Sequence, residues 1–364
     1  MSVSSSKNPT VTPRKLVTAM PEYHPPLAGR DLLRLDFNEN TFAPSPRVME
    51  KLAQLTAEGM TKYPERESGE RAAAAYYGLA PEQVLLTNGV DEAIHLLCAA
   101  YLEPEDEAII ATPGFFMYDV SISMMTANLK RVQSDASLQF PFERVMAAIT
   151  PRTKAIILSS PNNPTGAAIA RAQVLAICAA APQAVVMMDE AYFHFHGETT
   201  LADIAATPNL LIARTFSKAY GLANLRIGVA LGQAALIAPL RKVASPYNVN
   251  GIALDCLPVA LADEAYVQWY AKEVLQGRER MEQALTQLGV SFWKSHANFI
   301  LMKIGSKHKE LVVAMRKRGV LVRDRSNDPG CDGNVRITIG IADHVTRGIE
   351  ALKASLAEID WKAE

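Results

Sequence analysis

The residues able to do chemistry stand in four short motifs, and the most telling holds a lysine. In TFSKAYGLANLR (215–226), Ser217-Lys218 follows an apolar run and precedes small residues. A lysine buried at such a boundary loses solvation, its pKa falls, and its amine becomes a Schiff-base nucleophile. A lysine after a strand is also an ordinary surface residue, so this motif decides nothing alone. Arg226 follows eight residues later. A lysine, a hydroxyl and an arginine converging there suit an aldehyde that bears a phosphate.

In AVVMMDEAYFHF (184–195), Asp189 ends an apolar run, where open α/β sheets place their ligands. A buried carboxylate there needs a cationic partner, and a protonated pyridine nitrogen serves. The plain alternative is an Asp capping the next element. Tyr192 can present its phenol to the same crevice. SSPNNPTG (159–166) follows another apolar run. It is either a tight turn and nothing more, or a turn whose Asn163 amide faces a phenolate oxygen. In TNGVDEAIHLL (87–97), Gly89 permits a sharp turn, and a helix opens with Asp91 and Glu92. Its free N–H groups form an anion site, although acidic residues also suit a helix start for the dipole alone.

The elements that must position these groups follow from the apolar pattern. QVLLT (83–87), EAIIAT (107–112), KAIILSS (154–160), AVVMMDE (184–190), LLIART (210–215) and RIGVALG (226–232) are short, continuous and bounded by turn residues. This suits strands buried on both faces of a mainly parallel sheet. Helical patterns at 90–102 and 171–181 lie between them, which gives an α/β architecture. After SPYNVNG (245–251) the pattern changes. A long helical stretch over 252–288 shifts in the low 260s. Strands are predicted at 290–295, 297–304, 319–324 and 334–340, with helices at 308–319 and at the C-terminus. The predicted organisation is an N-terminal tail and arm (1–36), a large domain (37–250) and a smaller α+β domain (251–364).

The chain has 364 residues, 37 Lys plus Arg against 38 Asp plus Glu, and a net charge of −1. That balance gives no basic excess for nucleic acid or an anionic membrane. No apolar run has the length of a membrane span. The polar start reads as a loose tail. Cysteines 98, 178, 256 and 331 form no CxxC pair, consistent with reduced structural thiols and a cytoplasmic setting. His194 and His196 share a face if that stretch is extended, but nothing nearby completes a metal ligand set.

Together the four motifs supply a phosphate cradle, a nitrogen-facing carboxylate, an oxygen-facing amide and phenol, and a reactive lysine. This is the inventory that pyridoxal 5'-phosphate needs. From about Tyr23 to the C-terminal helix the chain resembles the fold-type-I aminotransferases of class I/II, and is most similar to the histidinol-phosphate aminotransferases. FNEN (37–40), KYPER (62–66), NGVDEAI (88–94), SPNNPTG, DEAY (189–192), TFSKAYGLANLR, SPYNVN (245–250), ANFIL (297–301) and VRITIG (335–340) carry the resemblance.

The resemblance implies an aspartate-aminotransferase-like fold. In it Lys218 holds the cofactor as a Schiff base and shuttles a proton. Asp189 faces the pyridinium nitrogen, and Asn163 and Tyr192 hold the ring oxygen. Gly89, Val90, Asp91, Ser217 and Arg226 surround the phosphate. Phe115 in TPGFFMY (112–118) stacks on the ring or, on residue type alone, is a core Phe. Tyr63 reaches the phosphate of the other subunit, so a homodimer is implied. Arg336 receives a substrate carboxylate, and Arg323 and Tyr23 lie near the distal end of the substrate. The activity implied is transamination between L-histidinol phosphate and 2-oxoglutarate, giving imidazole acetol phosphate and glutamate in histidine biosynthesis. An aromatic amino acid aminotransferase on the same scaffold is the alternative.

Two positions depart from the family. Asn224 replaces a small residue, and is expected to take the left-handed conformation that Asn tolerates. Thr41 replaces the proline that usually follows Asn-Glu-Asn, and is expected to loosen the loop at the edge of the site.

Overall fold

The computed structural model describes residues 11–18, 20, 22, 29 and 31–363. The first ten residues of the predicted tail, and Tyr23, lie outside them. The arm contributes β1 (Leu33–Arg34). The apolar runs of the first half become β2 (Val84–Thr87), β3 (Glu107–Thr112), β5 (Thr153–Ser159), β6 (Val185–Asp189), β7 (Leu210–Thr215) and β8 (Gly228–Leu231), with β4 at Asn128–Gln133. They form one seven-stranded sheet, ordered β2-β8-β7-β6-β5-β3-β4. Only β8 runs against its neighbours; every other pairing is parallel.

The continuous apolar runs have a simple cause. Alternate residues of a strand face opposite sides of its sheet. Val186, Met188 and Ile212 enter one core, whereas Val185, Met187 and Leu211 enter another. Both faces are covered, so apolar residues dominate, and the buried Arg214 of β7 is admitted by its pair with Glu190. β4 is the strand that the apolar pattern does not reveal. It sits at the sheet edge, and NLKRVQ has no fully buried residue.

Because β8 is reversed, the carboxyl ends of β2, β3, β5, β6 and β7 share one edge of the sheet. Thr87 and Thr215 both lie opposite Gly228 there, and Ser159 lies opposite Asp189. The four motifs all leave the sheet at this edge.

The second half holds two helices, Gly251–Ala262 and Glu264–Gln287, divided at Asp263 as the sequence predicts. A three-stranded antiparallel sheet follows, ordered β11-β12-β9, from β9 (Phe299–Lys303), β11 (Arg323–Asp324) and β12 (Asn334–Thr338). β10 (Val320–Leu321) pairs in parallel with β1, which ties the arm to this region. The strand predicted at 290–295 reduces to an isolated bridge between Phe292 and Met302. One apolar cluster runs from Met188 and Tyr192 through to Phe299 and Ile337, so the two sheets share a core. No helix among the described residues is long and apolar enough to cross a membrane.

Candidate active site

The helix Gly89–Tyr101 opens two residues after β2, and its first N–H groups face the sheet edge. Gly89 takes φ 74°, a left-handed backbone open to glycine at no steric cost. The approach is tight on both sides. A Cβ at Gly89 meets the Arg226 guanidinium at 2.7 Å, and one at Gly228 meets the Gly89 carbonyl carbon at 2.7 Å. Arg226 is thereby laid over the helix start, where it pairs with Asp91 at 3.2 Å. Val90 is buried beneath, and the buried Ser217 stands just past β7. Helix N–H groups and a guanidinium at one point can bind an anion. The left-handed residue of the following turn is Arg226 itself, at φ 51°. Asn224 instead lies in the 3-10 turn Ala223–Leu225, so the expectation that it takes this role is corrected.

Asp189 ends β6 and is 4% exposed. Tyr118 Oη donates to its Oδ2 at 2.6 Å, and the Ala191 N–H donates to Oδ1 at 2.9 Å. No cationic side chain among the described residues forms an ion pair with it. Burial consequently pushes its carboxyl up to about 6, against the opposing pull of these hydrogen bonds. A buried carboxylate that lacks a cation fits a protonated ring nitrogen, which is the test this site sets for a pyridoxal group. Phe115 packs edge-on to Tyr118, with ring centroids 5.6 Å apart.

Lys218 is half-buried. Its Nζ donates to the Phe37 carbonyl at 3.3 Å and sits 5.7 Å from the Tyr192 ring centroid. The buried Tyr192 phenol accepts a hydrogen bond from Asn38 Nδ2 at 3.0 Å. Asn38 has φ 55° and is 1% exposed, a conformation that persists only when its surroundings fix it. They do: its N–H donates to Thr338 Oγ1 at 3.0 Å, and its carbonyl accepts from Asn298 at 3.2 Å.

The two arginines face each other across the β11–β12 ladder, with Arg323 paired to Arg336. Arg336 donates from Nη1 to Asn163 Oδ1, and from Nη2 to the Asp36 carbonyl at 2.6 Å. The SPNNPTG turn reaches it by close contact. Gly166, at φ 74°, leaves no space for a Cβ against Ser295, and its carbonyl accepts from the His296 N–H at 2.8 Å. Arg323 lies over the Phe37 ring, 5.3 Å from its centroid.

Thus Gly89, Val90, Asp91 and Arg226 gather at one point. Asp189, Tyr192, Lys218, Asn163, Arg323 and Arg336 are linked to the surrounding strands as described. Tyr63 is not part of that network. It is 78% exposed and stacks on Tyr247, ring centroids 4.4 Å apart. Tyr118 and Asn38 belong to the site but escape sequence reasoning. Tyr118 lies in the TPGFFMY run with Phe115, and a tyrosine there has no signal separating it from core. Asn38 is within FNEN, yet only the fold shows its amide meeting Tyr192.

Thr41 does not loosen its loop. Its N–H, which a proline lacks, donates to the buried Tyr270 phenol at 3.1 Å, and its Oγ1 accepts from the Ile341 N–H at 3.3 Å. His194 and His196 lie in and just after a 3-10 turn, Phe193–Phe195, and do not share the face expected of an extended stretch. His194 packs on Tyr220 and His196 on His296. The four cysteines are free and buried.

The fold and this edge of the sheet define a class, and the sequence places the chain in it. Residues 30–352 match the family Aminotransferase class I and II, and the chain belongs to that family. It is 35% identical to a histidinol-phosphate aminotransferase of Symbiobacterium thermophilum, over 91% of this chain and 92% of that protein. It is 33% identical to one from Caldanaerobacter subterraneus subsp. tengcongensis, over 89% and 93%. In three dimensions it is similar to the Sinorhizobium meliloti histidinol-phosphate aminotransferase in complex with pyridoxal-5'-phosphate, with a TM-score of 0.85 and 23% identity over 97% and 100% of the two chains.

Proposed function

We propose that the protein is a pyridoxal 5'-phosphate-dependent aminotransferase that moves the amino group of L-histidinol phosphate to 2-oxoglutarate in histidine biosynthesis. The observation carrying the cofactor is Asp189, a buried carboxylate without a cation at the carboxyl edge of the sheet. The names of its relatives support the donor.

When bound, the cofactor supplies a cationic ring that withdraws electrons from the substrate carbon. Asp189 keeps the ring nitrogen protonated, and Tyr118 fixes the carboxylate that does so. Asn163 and Tyr192 hold the ring oxygen, and Phe115 covers the ring. The Gly89–Val90 backbone, Asp91, Ser217 and Arg226 bind the phosphate. Lys218 Nζ would hold the cofactor through its carbonyl carbon and, once free, would move a proton at the substrate carbon. Arg336 receives a substrate carboxylate, while Arg323 and Tyr23 meet the distal group.

The reading includes a cytoplasmic homodimer in which Tyr63 of one protomer completes the phosphate site of the other, and the partition 1–36, 37–250 and 251–364. Borohydride reduction followed by peptide mass analysis tests the core of it. The pyridoxyl mass should fall on the peptide containing Lys218. Label on another lysine, or none, contradicts the assignment.

A further inference from the structure

The β11–β12 ladder extends past Asp324, because the Arg325 N–H donates to the Asn334 carbonyl at 2.9 Å. Residues two apart on a strand share a face with each other and with their cross-strand partners. Arg323, Arg325 and Arg336 therefore stand on one face of the ribbon. The intervening Asp324 points the other way, where it meets His308 at 3.1 Å. Arg325 is held by Asp328, three residues on, in a pair whose side chains are 14% and 24% exposed.

Among the described residues, Arg325 pairs with Asp328, and the Asp36 carboxylate lies near Arg323 and Arg336. Arg325 Nε and Arg336 Nε are buried without a hydrogen-bond partner. Burial and the charges of Arg325 and Arg323 together pull Arg336 down to about 9. Burial pushes Asp328 up, against Arg325, Arg336 and Arg323. An incoming anion gives the two buried guanidinium N–H groups acceptors, and moving Asp328 out toward water ends the cost of its burial.

We propose that Arg325 is a third anion-binding side chain of the substrate cleft, and that Asp328 is its resident counter-ion. A phosphate dianion displaces Asp328 toward water and takes Arg325 together with Arg323 and Arg336. A carboxylate, with one charge and two oxygens, leaves the Arg325–Asp328 pair closed and uses the other two arginines. The pair thereby lets one cleft accept a phosphorylated donor and a dicarboxylate in turn. Geometry supports the division, since each guanidinium forks onto two oxygens and phosphate has enough oxygens for three. The inference rests on reading Arg323 and Arg336 as substrate-anion residues.

The test titrates the cofactor-loaded protein with inorganic phosphate and, separately, with glutarate, following the cofactor absorbance and the heat of binding. The cofactor fills its own phosphate site, so added phosphate reads the substrate cleft. Arg325→Gln should weaken phosphate about tenfold and glutarate less than about twofold. Asp328→Asn should tighten phosphate severalfold and leave glutarate nearly unchanged. Arg325→Lys, which keeps the charge and loses the fork, should fall between Gln and the native protein. With histidinol phosphate as donor, the Arg325→Gln loss should appear in KM rather than kcat. Equal weakening of both anions, an unchanged phosphate affinity, or no phosphate binding to the native cleft would overturn the proposal. If the protein ignores histidinol phosphate yet Arg325→Gln selectively weakens inorganic phosphate, the assigned donor fails and Arg325 keeps its role.

Discussion

Asp189 is the residue on which the proposed chemistry turns, and its environment sets a pH signature. In the cofactor-free protein its folded pKa, about 6, lies above the ordinary 3.8. The folded state then binds more protons than the unfolded state between these values. Stability contributed by the neutral acid is present below pH 4 and is lost as pH rises through 6. Asp189→Asn removes the buried charge and keeps an acceptor for Tyr118. The cofactor-free variant should be more stable than the native protein at pH 8, by about 1–3 kcal/mol, with the gap closing by pH 4. The same variant should hold the cofactor more weakly. Thermal melts across pH check the first part, and a destabilised variant at pH 8 contradicts it.

Arg323 gives a second prediction at this scale. Losing a charge-assisted bond of about 1.5–3 kcal/mol lowers kcat/KM by roughly ten- to a hundredfold. Arg323→Leu should impose that loss on histidinol phosphate and far less on an aromatic amino donor. Equal losses for the two would remove its role as phosphate reader. Lys218 and Asp189 were legible because charged or nucleophilic types at strand ends are uncommon in cores, whereas Arg323 and Arg336 came through the family resemblance. Tyr118 and Asn38 were not, because tyrosine and asparagine pass for packing and turn residues until their partners are known.

Among elements, the strands buried on both faces were plain in the sequence, since both faces favour apolar residues. β4 was hidden by its place at the edge, and 290–295 carried strand composition but found a partner at one position only. Thr41 shows the limit of reading a substitution from composition. Proline at 41 suggests stiffness, yet threonine supplies two hydrogen bonds that the fold uses. Thr41→Pro should therefore destabilise the protein by about 1–3 kcal/mol. Denaturant unfolding measures it, and a stabilised variant would restore the expectation of a loosened loop. Gly228 is the corresponding constraint on the proposed phosphate site. Gly228→Ala presses on the Gly89 backbone and should raise the dissociation constant for the cofactor, an effect that equilibrium dialysis can read.

At the scale of the whole molecule, Tyr63 and Tyr247 expose a stacked pair on the surface, near the exposed Met60 and Val243 in sequence. Such a patch suits a second copy of the chain. Mixing Tyr63→Phe with Lys218→Ala subunits should yield heterodimers with one site intact and one doubly damaged. Activity should then exceed that of either parent, whereas proven mixing without recovery argues against a shared site. The exposure of Tyr63 is compatible with the proposed role across an interface.

The central claim is that this site draws an amino group from histidinol phosphate. The most direct measurement is the single-turnover half-reaction of the cofactor-loaded protein with histidinol phosphate, phenylalanine, tyrosine and threonine phosphate, followed through the cofactor spectrum. Histidinol phosphate should convert the spectrum with the highest second-order rate constant, and 2-oxoglutarate should restore it. A clear preference for phenylalanine or tyrosine would contradict the claim and move the protein to the aromatic aminotransferases.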